Sequence, residues 1–238
     1  MMLEQRRISY GAYIIEFQVE RRDRKTLEIA VEPDLRIVIA APNASKPDEI
    51  DARVRKRAAW ILRQQAYFNQ FLPRTPARKF IAGETHLYLG RQYRLKVERA
   101  LYDRVRLYKG RLHVATTRPG NPSHTRVFVE AWYRARAKIK FEERLRHCLT
   151  FFSRPDDFEP AALIVRKLAR RWGSMSPARR LLLNLRLIEA PVDAIDYVIT
   201  HELVHIQEPH HGPAFIELLT STLPDWEARK AKLERILS

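Results

Sequence analysis

Four of the chain's eight histidines fall between positions 201 and 211, in the run THELVHIQEPHH that starts at Thr200. His201 and His205 are four residues apart, so on a helix they stand one above the other on the same side. Two imidazoles placed this way can hold one small cation without bending the backbone. Glu202, next to the first, is positioned to reach a water on that cation rather than the cation itself, and the whole is the HExxH pattern. Neutral imidazole nitrogens bind Zn2+ at ~2.0–2.1 Å, and three protein ligands leave a fourth position open for water. Zinc brings that water's pKa to about 7, and a neighbouring carboxylate can take its proton and hand it to a leaving amine.

A third ligand is expected just downstream. Pro209 cannot continue a helix, so the chain must turn after Glu208 and can carry a following histidine back. His211, six residues after His205, has the spacing of a third histidine ligand in zincins. Its rival is His210, and adjacent side chains in an extended turn point opposite ways. A metzincin would have glycine where Glu208 stands, and a later methionine; none follows Met175.

Several elements must position these residues. Pro191-Val192-Asp193-Ala194 opens the helix that carries the motif, and Ile195, Val198, Ile199 and Leu203 give it a buried face. Upstream, residues 162–165 and 180–185 read as two strands forming a hairpin beside that helix. By analogy with zincins, the 181–185 strand is expected to lie beside the cleft and to offer an edge for an extended peptide. Trp172 and Asn184 are candidates for shaping the cleft, against plain packing and turn-bonding roles. Arg171 and Arg186 are candidates for stabilising an oxyanion, against solvated arginines.

Farther upstream, residues 13–19, 26–31 and 35–40 have β character and suggest an antiparallel meander ending at Pro42. A helix follows, with Ser45 as its N-cap, Pro47 in the first turn and Asp48 and Glu49 just inside. It is expected to run to about Phe71, with Trp60, Ile61 and Phe68 on its buried side. Strands return over residues 86–90, 93–97, 105–108 and 112–114, with Lys109-Gly110 as a hairpin turn. His86, His113 and His124 lie singly there and read as surface residues. A long basic amphipathic helix runs from Ser123 to about Phe152. No internal repeat is visible. The run 118–122 marks a boundary between a β-rich region with one long helix, 1–120, and a compact core, 121–238. The expected class is α+β.

With 44 Lys and Arg against 28 Asp and Glu, the formal charge is +16. Such an excess favours polyanions, so nucleic acid or nucleotides are possible partners beside a peptide or protein substrate. Cys148 is the single cysteine; it excludes an internal disulfide and reads as a buried small hydrophobe. No apolar run long enough for a membrane span or a secretory signal occurs, so a cytoplasmic protein without membrane contact is expected.

The stretch RWGSMSPARRLLLNLRLIEAPVDAIDYVITHELVHIQEPHHGPAFIELLTSTLPDWEARKAKL closely resembles the YgjP-like metallopeptidase family. The WGS hairpin, the LN…L…P strand exit, DYV…HELxH, HxxxF and PDW all match its pattern, and the N-terminal strands and the Trp60 helix also fit. The family is related to the WLM and SprT-like zinc proteases. The resemblance implies a zincin-like core, His201, His205 and His211 as zinc ligands and Glu202 as general base. Met175 departs from the cysteine common after WGS. Two alternatives stand beside a zinc peptidase: a metal-dependent hydrolase of nucleotide phosphoanhydrides, and a nucleic-acid-binding module stabilised by zinc.

Overall fold

The computed structural model describes residues 3–32, 34–69, 78–168 and 171–237. They form a mixed α+β structure, as expected, and the chain divides into two compact units between residues 76 and 77.

In the first unit, β1 (Leu3–Tyr10), β2 (Tyr13–Arg22), β3 (Glu28–Val31) and β4 (Ile37–Pro42) precede α1 (Pro47–Asn69). The strand order is β1-β2-β4-β3, with β2 and β4 parallel and the outer pairs antiparallel. The expected meander is therefore wrong: β4 inserts between β2 and β3. Its run Ile37 to Ala41 is buried on both faces, which suits an inner strand. The edge strand β1 escaped notice because its polar sequence LEQRRISY carries little β signal. On the inner face Ile15, Phe17, Val19, Ile37 and Ile39 pack against Ile50, Val54, Ala58 and Ile61 of α1. Those helical residues recur every three or four positions, a single apolar stripe. At the helix start Glu49 accepts from the Lys46 N–H at 3.2 Å, so the chain enters one residue later than a Ser45 cap would place it. The expected end near Phe71 lies outside the described residues.

The second unit begins with β5 (Thr85–Tyr88), β6 (Arg91–Arg99), β7 (Arg104–Tyr108), β8 (Arg111–Thr116) and α2 (Pro122–Leu149). Its strand order is β5-β6-β8-β7, again with the inner pair parallel and the outer pairs antiparallel. The ββββα arrangement of the first unit thus recurs, although the sequence shows no repeat. Lys109 and Gly110 both have positive φ, giving the hairpin turn expected there. Asn121 caps α2 by accepting from the His124 N–H at 3.0 Å.

The chain continues through a 3-10 turn (Pro155–Phe158), β9 (Ala162–Arg166), β10 (Gly173–Met175), β11 (Arg180–Asn184), a second 3-10 turn (Leu185–Glu189), α3 (Val192–Val204), α4 (Pro213–Thr222) and α5 (Trp226–Leu237). The third sheet is ordered β10-β11-β9. β9 and β11 are parallel neighbours rather than a hairpin, and the hairpin is β10–β11. The division between units falls at residue 76 and not at 120. Leu95, Leu112 and Val114 of β6 and β8 share one apolar cluster with Trp132 and Tyr133 of α2 and Ile195 and Ile199 of α3. Burial thus joins β5–β8 to the C-terminal elements.

Candidate metal centre

The helix α3 is apolar nearly all round, and Ala194 to Thr200 and Glu202 to Val204 are buried. Such a helix must be enclosed by other elements. One support is polar: Arg144 of α2 donates from Nε and Nη2 to the two Asp196 oxygens at 2.7 and 2.8 Å. Another is the β5–β6 turn, where the Leu89 and Gly90 N–H groups donate to the Ile188 and Glu189 carbonyls just before α3. Gly90 has φ +77°, and a Cβ there would lie 2.8 Å from Pro191, so both conformation and contact require glycine. Arg78 binds the Glu189 carboxylate through both guanidinium ends at 3.1 and 2.7 Å.

His201 lies in the last turn of α3 and His205 is its C-cap; His211 follows in the turn before α4. One ring nitrogen from each lies within 4.8 Å of those of the other two. The His201 and His211 Nε2 atoms are 3.0 Å apart. The His205 Nδ1 lies 2.9 Å from the Glu208 carbonyl. A carbonyl only accepts, so Nδ1 carries the hydrogen and Nε2 presents a lone pair. Burial, with the neighbouring histidines, pushes the His201 pKa down to about 3, and burial also lowers that of His211. His201 and His211 are therefore held as neutral imidazoles, and ring nitrogens of all three residues converge, the donor set that suits zinc and similar divalent ions. His210 is exposed and lies outside the cluster; its carbonyl accepts from the Gly212 N–H.

Phe215 of α4 packs against all three imidazoles, at centroid distances of 4.9, 4.6 and 4.7 Å. The HxxxF spacing contained this residue, but only the folded chain reveals it as the floor of the cluster. Tyr197, one turn before His201, packs against that ring and stacks on Trp226.

Glu202 is 7% exposed. Burial pushes its pKa up to about 7, against the Met175 backbone N–H and the Arg171 charge, which favour the anion. Gly173 stands against it: a Cβ there would meet Glu202 Cγ at 2.8 Å and Oε1 at 2.9 Å. The glycine of WGS thus makes room for the carboxylate.

These groups line a cleft of about 850 Å³ with Arg171, Trp172, Met175, Arg179, Ile206, Lys230 and Glu234. Of the other candidates, Arg171 and Trp172 line it, while Asn184 and Arg186 do not. Asn184 is buried and staples its loop, donating to the Leu168 and Arg171 carbonyls. Arg186 lies over the Trp172 ring and donates to the Leu237 carbonyl. β11 is paired on both sides, so it has no free edge for a peptide; the cleft-lining edge strand is β10. Cys148 is fully buried, and burial, then the Asp196 charge, drives its thiol pKa upward, which leaves it an inert hydrophobe. His86, expected at the surface, is 1% exposed.

The sequence pattern of the family described as YgjP-like, metallopeptidase domain, matches residues 25–236. The chain belongs to this family. Membership in the YgjP-like metallopeptidases implies a metal ion and a peptide-hydrolysing activity. No curated protein matches the sequence. Among solved structures, the metallopeptidase zymogen of Pyrococcus abyssi abylysin is similar to part of the chain. It is 16% identical with a TM-score of 0.33, covering 39% of this chain and 90% of its own, a likeness too partial to bear on the fold. Among the described residues, no helix is long and apolar enough to cross a membrane.

Proposed function

We propose that the chain is a zinc-dependent peptidase in which His201, His205 and His211 hold the ion and Glu202 is the general base. The convergence of three imidazoles beside a buried carboxylate carries this assignment. When bound, zinc supplies Lewis acidity toward a carbonyl oxygen and makes water a stronger acid. Glu202, with a pKa of about 7, takes a proton from water at neutral pH and returns it to the departing amine. Gly173 and the Met175 N–H hold that carboxylate in place, and Phe215 holds the three rings. The outer edge of β10, which among the described residues pairs only with β11, accepts an extended substrate strand alongside the cleft.

The nucleotide-hydrolase alternative draws on Arg171, Arg179 and Lys230 in the same cleft. A purely structural zinc site is disfavoured because, among the described residues, the cluster has three ligands where closed sites use four. The test is Glu202→Gln, assayed for metal content and for turnover of a peptide library and a nucleotide panel. The expected variant retains one zinc and loses peptide cleavage by about 10²–10⁴-fold. Undiminished peptide cleavage by the variant, or wild-type turnover confined to nucleotides, defeats the proposal.

A further inference from the structure

We propose that the outer face of the β5-β6-β8-β7 sheet binds single-stranded nucleic acid. The face is fixed by register. Leu95, Leu112, Val114 and Leu107 point inward to the apolar cluster. The alternate residues point outward and line up across β6, β8 and β7. One row is Arg94–Arg111–Tyr108, the next Lys96–His113–Arg106, and the third Glu98–Ala115–Arg104. These nine positions hold five lysines and arginines and one acid. That acid, Glu98, pairs with Lys96 and His113. Among the described residues no carboxylate pairs with Arg94, Arg104, Arg106 or Arg111, all of which are exposed.

A basic composition alone does not produce this face, because the molecule contains its own control. Aligning the two sheets from the first pair of their parallel ladders sets Gln18–Val38–Ala30 against the first row and Glu20–Ala40–Glu28 against the second. Where one sheet has Lys96 and Arg106, the other has Glu20 and Glu28. In the third row the signs exchange, Arg22 standing where the second sheet has Glu98, so the same strand order carries five lysines and arginines across these positions in one sheet and a mixture of both signs in the other.

Three features favour single-stranded nucleic acid over other polyanions. Guanidinium groups match phosphate oxygens in a bidentate way. Neighbouring strands lie about 4.8 Å apart and alternate residues about 6.8 Å apart, a spacing on which an extended phosphodiester chain can lie. Tyr108, 45% exposed, has Arg106 at 4.9 Å and Lys109 at 5.3 Å from its ring centroid. An exposed ring among cations offers a platform for an unpaired base, which a duplex keeps stacked and an acidic peptide lacks. A bilayer would instead take Leu101, 99% exposed, and Tyr102 at the β6–β7 turn, beyond the end of these rows.

The test is fluorescence anisotropy of a short labelled single-stranded oligonucleotide, as DNA and as RNA, titrated with the full chain over a range of salt. Binding is expected to weaken linearly in log salt with a slope near −0.7 for each phosphate neutralised, for about four phosphates. Arg106→Glu with Arg111→Glu should weaken it about tenfold or more and flatten that slope. The milder Arg106→Gln with Arg111→Gln, should the reversal unfold the chain, must move both in the same direction. Tyr108→Ala should weaken binding roughly tenfold with the slope unchanged. Arg7→Glu, on the outer face of the other sheet, should change nothing. The proposal is overturned if the double variants bind as the wild type does. Preference for duplex, or for phosphatidylserine vesicles over the oligonucleotide, overturns it equally.

Discussion

The two ββββα units share strand order and pairing, yet one has an apolar cluster built from its own strands and helix and the other shares its cluster with the helix that carries the candidate metal centre. In the first, a Cβ added at Gly11 of the β1–β2 turn would meet no described residue within 4 Å. In the second, the equivalent β5–β6 turn is wedged against Pro191 at the entrance to α3. Each unit also ties its helix with a two-pronged arginine–aspartate pair. Arg6 of β1 holds Asp51 of α1 at 3.0 and 2.9 Å, at the rim, with both side chains 22% exposed. Arg144 of α2 holds Asp196, which is buried and belongs to the motif helix. His86 adds a further contrast: on the inner face of β5 it faces Tyr93, just as Arg6 faces Phe17 in the first unit. Strand topology therefore does not mark a functional unit; what its turns and helix are anchored to does.

That contrast can be broken at three points. The largest expected effect is at Asp196. Asp196→Ala strands the Arg144 charge in the interior and should lower stability by about 3–5 kcal/mol, read by chemical denaturation. A loss below about 1 kcal/mol would show that the pair does not anchor α3.

The second effect is a pH dependence at His86. Burial, reinforced by the Arg78 charge, lowers its pKa to about 4, against the attraction of Glu84. The unfolded chain takes up this proton near pH 6.5, while the folded chain resists until about pH 4. Stability should therefore fall as pH drops through that window, by no more than about 3 kcal/mol. His86→Phe should have a shallower profile over the same range, and identical profiles would remove His86 from the account.

The smallest effect sharpens the comparison from the other side. Asp51→Ala opens the rim pair and should cost about 1 kcal/mol, with metal content and peptide turnover unaltered. A cost equal to that of Asp196→Ala would erase the distinction between the units.

Local features were legible at the level of residues. The His201–Glu202–His205 spacing, the Pro209 turn, the Lys109-Gly110 hairpin and the α2 boundary near Pro122 all follow from short-range rules. Pairing was not legible in the same way. The apolar run of β4 fits a central strand, but nothing in it says that β2 will be its parallel neighbour. The 162–165 and 180–185 strands looked like partners and are, yet in parallel, because β10 supplies the hairpin and its GSM run is too short to read as a strand. His86 looked exposed because the rings beside it, Phe80 of the preceding loop and Tyr133 of α2, are brought there by folding and not by the strand's own alternation.

By itself, the amino-acid order determined the donor chemistry: which imidazoles share a helical face, which carboxylate stands next to them, and where a proline forces the chain to turn. These depend on backbone period and side-chain type over a few residues. Tertiary structure alone decided that His211 and not His210 joins the cluster, that Gly173 and Phe215 shape its surroundings, and that the outer face of one of two like sheets carries arginines with no carboxylate partner among the described residues. Those outcomes depend on burial and on register between strands distant in the chain, and neither has a local signature.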